Sequence, residues 1–137
     1  MTLDDFLRTR YVKYGRVAPD LDCWGLVRLA KVDLFGGRLL PSFGQIDPMD
    51  KRSLTSATSE VREQGGFVEV QPRPGAIATA WRASLCVHVG IVIDVDGMLW
   101  VLETDEGVGP SLTRISTFES RYTRVIFYDD TNLPIPA

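Results

Sequence analysis

Asp22-Cys23-Trp24-Gly25-Leu26-Val27-Arg28-Leu29-Ala30 is the stretch on which the fold turns. Asp22 is a good N-cap, because its carboxylate can accept from the unpaired N–H groups of a first helical turn. Leu26, Val27, Leu29, Ala30 and Leu34 then recur at helical spacing. The pattern predicts a helix over 22–34, ended by Gly36-Gly37. Cys23 falls at its first residue. A thiol there faces free N–H groups and the positive end of the helix dipole, and both favour the reactive thiolate. Gly25 has no side chain and would let a substrate backbone come close. Taken alone, a cysteine in such a place is more often a buried structural thiol.

Upstream, Thr2 to Arg10 reads as a short helix capped by Thr2, with Asp4 and Asp5 in its first turn and Leu3, Phe6 and Leu7 as its apolar stripe. Residues 11–21 read as a loop broken by Gly15 and Pro19. Downstream, residues 39–48 read as irregular, with breakers at Pro41, Gly44 and Pro48. A third helix is predicted over 51–64, capped by Asp50 and stopped by Gly65-Gly66.

The second half alternates like strands. They are expected over 67–70, 76–81, 86–95, 98–104 and 125–128. Pro72, Pro74 and Gly75 turn the first into the second. Asp96-Gly97 marks a tight hairpin, residues 105–110 a loop, and Pro134 and Pro136 a frayed tail. Helices first and an antiparallel sheet after make an α+β pattern. The 137 residues suit one domain, 1–137.

Cys86-Val87-His88-Val89-Gly90-Ile91-Val92-Ile93 holds the only histidine. Strict alternation puts Val87, Val89, Ile91 and Ile93 on one face and Cys86, His88, Gly90 and Val92 on the other. Gly90 then leaves space beside the imidazole, and a helix start docked on that face would bring Cys23 to it. Such a pair activates a thiol and later protonates a leaving amine. The bland alternative is a sheet histidine bonded to backbone. A metal held by Cys23, Cys86 and His88 is a weaker alternative, because structural zinc wants four ligands at close spacing.

With Asp96 and Gly97 as the two loop residues, Val95 pairs with Met98, and Gly90 comes to oppose Glu103. Leu99, Val101, Glu103 and Asp105 then share the face of His88. Glu103 lies diagonal to the imidazole and is the candidate that orients it. A shifted register would bring Trp100 inward instead. Tyr11 could donate its hydroxyl to an oxyanion. Tyr11, Asp22, Trp24, Gly25 and Trp100 are therefore the candidate oxyanion- or substrate-binding positions, beside Cys23, His88 and Glu103 as candidate catalytic residues.

Composition narrows the partners. Net charge is −3 and no basic block is present, which speaks against a nucleic-acid surface. No apolar run is long enough to span a bilayer, and residues 1–10 do not read as a signal peptide. The two cysteines are too few for a disulfide framework.

The Asp22–Val27 and His88–Ile93 segments together resemble the two signature segments of the NlpC-type cysteine peptidases of bacterial cell walls. Tyr11 and Arg73-Pro74-Gly75 match further family positions. Asp22-Cys23-Trp24-Gly25-Leu26-Val27-Arg28, with Gly36-Gly37 and Leu40-Pro41 after it, is especially similar to the stand-alone peptidases of phage and prophage tails. The resemblance implies a papain-like fold, with the nucleophile at a helix start packed on a central antiparallel sheet. It also implies hydrolysis of a stem-peptide amide, typically γ-D-glutamyl–diaminopimelate; no cofactor, metal, nucleic-acid partner or membrane is expected. Tail proteins are the expected partners. The expected place is the virion or tail, after synthesis in the cytoplasm and acting in the cell envelope. Two positions depart from the family. Ala76 stands for the Asp of the R-P-G-D turn. Trp100 stands where the third catalytic residue, usually His, belongs, and an indole can only donate a hydrogen bond. That leaves Glu103, Asp105 or a backbone carbonyl to orient His88, or a site of low activity. The rival readings are an inactive structural or binding module of a tail and an acyltransferase or amidase of the same fold.

Overall fold

A computed structural model describes residues 1–43 and 51–130. The expected breakers Gly44 and Pro48, the cap at Asp50 and the tail with Pro134 and Pro136 lie outside the described residues. The chain opens with a five-residue helix, α1 (Leu3–Leu7), closed by a reciprocal capping box between Thr2 and Asp5. The expected extension to Arg10 does not form. The Arg10 N–H bonds the Pro19 carbonyl instead, at 2.8 Å.

The segment read as a loop is a three-stranded sheet of two-residue strands: β1 (Arg10–Tyr11), β2 (Arg16–Val17) and β3 (Asp20–Leu21), ordered β1-β3-β2. Strands this short carry no readable period. Next come α2 (Cys23–Asp33), with Asp22 as N-cap, and α3 (Lys51–Gly65).

The remaining elements are β4 (Phe67–Val70), β5 (Ile77–Arg82), β6 (Leu85–Val95), β7 (Met98–Asp105), β8 (Gly109–Arg114), α4 (Ile115–Ser120) and β9 (Arg124–Asp130). The strands form one six-stranded antiparallel sheet, ordered β4-β9-β5-β6-β7-β8. Helices and sheet are segregated, so the fold is α+β. Two elements lay hidden in the sequence. The expected loop ends in β8, an edge strand, where Pro110 is tolerated. The short α4 has no side-chain cap to announce it.

The main core lies between the sheet and α2 and α3. There Leu26, Val27, Ala30, Leu54 and Val61 pack with Ile77, Val89, Ile91, Ile93 and Leu102. A smaller cluster covers the other face: Ala76, Ala78, Ala80, Val92, Val101 and Phe127 against Phe118 of α4. Among the described residues no helix is long and apolar enough to cross a membrane.

The β6–β7 hairpin has the expected register, Ile91↔Leu102 through Val95↔Met98. Asp96 (φ 53°) and Gly97 (φ 82°) both take positive φ, as the favoured two-residue turn requires. The β5–β6 pairing departs from strict alternation. Ala80 pairs with His88 but Trp81 with Cys86, so Val87 is an extra residue in a bulge. The bulge corrects the expectation that Cys86 and His88 share a face. Cys86 joins the row of Val89, Ile91 and Ile93 beneath the helices, whereas His88 packs against α4.

Candidate active site

Helix α2 starts where it does because Asp22 caps it. The fully buried Asp22 carboxylate accepts from the Gly25 N–H at 2.8 Å and pairs with the Arg16 guanidinium. The first N–H bonded within the helix is that of Leu26, to the Asp22 carbonyl at 3.0 Å. The N–H groups of Cys23 and Trp24 thus precede the helical ladder. Cys23 is 3% exposed.

His88 is also 3% exposed. Its ring lies 6.1 Å from that of Phe118 and 6.4 Å from that of Tyr122. It sits beyond the end of the paired register with β7, which stops at Ile91↔Leu102. The body of α2 packs on the opposite side of the sheet from the one expected, against Val89 and Ile91. Its first residue nevertheless comes beside the imidazole, close enough for the Cys23 side chain to favour the charged ring.

The far side of the ring is held by Glu103. His88 Nε2 lies 3.0 Å from Glu103 Oε1. A carboxylate can only accept, so Nε2 carries a ring proton in both charge states and Nδ1 is the nitrogen that can gain or lose one. Glu103 Oε2 accepts from Arg121 Nη2 at 2.6 Å. Asp105, the other carboxylate candidate, is exposed and acts on His88 through its charge alone.

The electrostatics follow from these contacts. Burial disfavours a charged imidazole, but the neighbouring Cys23 and the bond to Glu103 outweigh it and raise His88 from 6.5 to about 9. Burial likewise disfavours a charged Glu103, yet the bonds to His88 and Thr113 and the Arg121 charge hold it below the usual carboxylate range. Tyr11 is half-buried, and burial with the charges of Cys23, Asp22, Asp105 and Glu106 pushes its hydroxyl up, so it stays a donor.

Cys86 has a different character. Burial pushes its thiol up to about 11, and its Sγ lies 3.6 Å from the His88 carbonyl oxygen. Its N–H bonds Thr55 of α3 at 2.8 Å. It is a neutral packing thiol.

Four of the positions expected to face substrate do otherwise. Asp22 is consumed as cap and ion-pair partner. Gly25 is required by packing, since a Cβ there would lie 2.0 Å from the Gly15 carbonyl oxygen. Trp24 is buried, with its indole N–H bonded to the Pro41 carbonyl at 2.9 Å and its ring 6.2 Å from Phe43. Trp100 pairs with Ile93, five residues along β6 from His88 or roughly 16 Å at strand rise, and stacks under Arg114. Gly90 also leaves no free space, because a Cβ would meet Val101 Cγ1 at 2.5 Å. Its absent side chain lets β7 approach closely enough for Glu103 to reach the ring.

A cavity of about 40 Å³ between α2, α3 and the sheet is lined by Trp24, Leu54, Val61, Ile77, Val89 and Tyr128 among others. None of Cys23, His88 or Glu103 lines it. Among the described residues no group of three or more His, Cys, Asp or Glu side chains is arranged to hold a metal ion.

Sequence reasoning missed Phe118, Arg121 and Tyr122, which surround the imidazole and the carboxylate from α4 and the turn after it. No spacing or cap in that segment marks them. No family model matches the chain, and no curated protein matches it.

Proposed function

We propose that the protein is a cysteine hydrolase that cleaves a peptide amide, with Cys23 as nucleophile, His88 as base and acid, and Glu103 as the group that orients the imidazole. One observation carries this reading: a sulfur at a helix start lies beside the only imidazole of the chain, and a buried carboxylate holds Nε2 of that ring. The thiolate attacks the carbonyl carbon, a C–S bond forms, and the C–N bond breaks as His88 gives its proton to the leaving nitrogen. The Cys23 N–H and the Tyr11 hydroxyl are the candidate donors for the oxyanion. Water then hydrolyses the thioester, with His88 taking its proton.

The substrate class comes from the resemblance of the Asp22–Val27 and His88–Ile93 segments to NlpC-type peptidases. On that basis the fold is papain-like and the amide belongs to a bacterial peptidoglycan stem peptide, typically γ-D-glutamyl–diaminopimelate. A phage or prophage tail is the setting that the same segments suggest. The test is release of soluble peptides from purified peptidoglycan. Wild-type protein should release them and Cys23→Ala should not. Equal release by both would refute the mechanism.

A second reading is an inert tail module with a vestigial site. It is favoured by the near-complete burial of Cys23 and His88, 3% exposed each. Alkylation by iodoacetamide across pH separates the two. A paired thiol reacts well below the ordinary thiol value of about 8.5, and an inert one follows that value.

A further inference from the structure

We infer that Arg121 is a positioning residue for the Cys23–His88–Glu103 group: its guanidinium neutralises the Glu103 carboxylate at the step where His88 is uncharged. The inference rests on the hydrolase reading above and extends it by one residue.

The geometry is specific. Arg121 Nη2 lies 2.6 Å from Glu103 Oε2, while Oε1 of the same carboxylate holds His88. The guanidinium carbon lies 5.2 Å from the Phe118 ring centre and 5.5 Å from that of Tyr122. Those two rings are also the ones that pack on His88. One guanidinium therefore touches the carboxylate and both aromatic walls of the imidazole. The other groups facing this cluster are Cys23 from α2, Asp105 from β7, Thr113 from β8 and Tyr122 after α4. Tyr11 of β1 faces Cys23, and Arg82 of β5 lies over the Tyr122 ring at 5.1 Å.

Charge counting shows what Arg121 adds. With a thiolate and an imidazolium present, Cys23, His88 and Glu103 together carry one negative charge, and Arg121 brings the sum to zero. In the thioester the sulfur is uncharged and His88 must be neutral to accept a proton from water. Glu103 is then a buried anion whose one charged partner among the described residues is Arg121. Without Arg121, burial would favour keeping the proton on His88 or placing one on Glu103. Either outcome stops His88 from acting as base while the C–O bond forms and the C–S bond breaks.

The experiment follows the single imidazole by nitrogen NMR in the full chain, with the sulfur removed by Cys23→Ala to imitate its uncharged state. Adding Arg121→Gln should raise the pH at which His88 titrates by about one unit or more, a tenfold tighter hold on the proton. Adding Arg121→Lys should keep the titration within about half a unit of Cys23→Ala alone. A fall toward the ordinary value of about 6.5 in Arg121→Gln would overturn the inference, because mere loss of scaffolding exposes the ring to water. Should Arg121→Gln not fold, Arg121→Leu keeps the apolar contact with Phe118 and Tyr122 while removing the charge, and the same two directions decide. These titrations need no substrate. A normal, unpaired thiol in the wild type would end the hydrolase reading without changing them.

Discussion

The two ends of α2 each carry a buried cluster of charges, and they differ in what those charges can do. At the far end, Lys31 is 1% exposed and its ammonium bonds the Gly75 carbonyl at 2.6 Å and Asp129 Oδ1 at 2.7 Å. Arg73 takes the other oxygen of Asp129 at 2.8 Å. Burial works against the Asp129 charge, but Lys31 and Arg73 outweigh it and hold the carboxyl below its usual range. The cluster ties α2 to β9 and to the turn before β5. At the near end, a thiol and an imidazole sit between the helix start and Glu103. In the proposed reaction those two groups exchange a proton. Both clusters are buried, yet only the near one holds a thiol and an imidazole.

That difference should appear most sharply in Cys23→Ala. Hydrolysis should fall by roughly 10⁴-fold or more, while the unfolding free energy, measured at a pH above the window in which His88 contributes, stays within about 1 kcal/mol of wild type. A large loss of stability would make the near end a structural cluster like the far one. The converse variant is Lys31→Met, which leaves Asp129 short of one partner. It should cost about 3 kcal/mol by chemical denaturation, with the pH dependence of Cys23 alkylation unchanged in the folded fraction. A shift in that dependence would mean that the two ends are coupled through the helix.

The third test uses pH. His88 holds its proton more tightly folded, at about 9, than unfolded, at about 6.5. Its contribution to stability is therefore complete below pH 6.5 and lost as pH rises toward 9. Wild-type stability measured against His88→Gln should decline by about 3 kcal/mol across that window. A flat difference would show that the imidazole gains nothing from its two partners. The smallest effect is expected from Glu103→Gln, which keeps the shape and removes the charge. Peptide release should drop by roughly 10- to 100-fold, and His88 should titrate nearer its ordinary value. An unchanged titration would transfer the orienting role to another group.

The near end was partly legible in advance. The pair Cys23 and His88 stood out because Asp22 announces a helix start and because the chain has one imidazole. Glu103 was reachable by counting residues out from Asp96-Gly97, and the counted register is the observed one as far as Ile91↔Leu102, one pair short of Glu103. Cys86 was misplaced, because the bulge at Val87 turns it to the helical side, and no residue type marks that bulge. Gly25 looked like room for a ligand and is instead filled by the Gly15 carbonyl. Trp100 looked like the third position of the site and lies five residues along the strand from His88.

By itself the sequence determined what depends on neighbours along the chain. That covers the cap and start of α2, the apolar rows of β6, the two-residue turn at Asp96-Gly97 and the α+β order of elements. All of these come from local dihedral preferences and periods of two or 3.6 residues. Only the tertiary structure decided which face of the sheet α2 covers, that β8 and α4 exist, and that Arg121 closes the chain of contacts behind Glu103. Those features come from contacts between segments far apart in sequence. Short edge strands and uncapped single-turn helices form because the rest of the protein buries them, and burial leaves no periodic mark on so few residues.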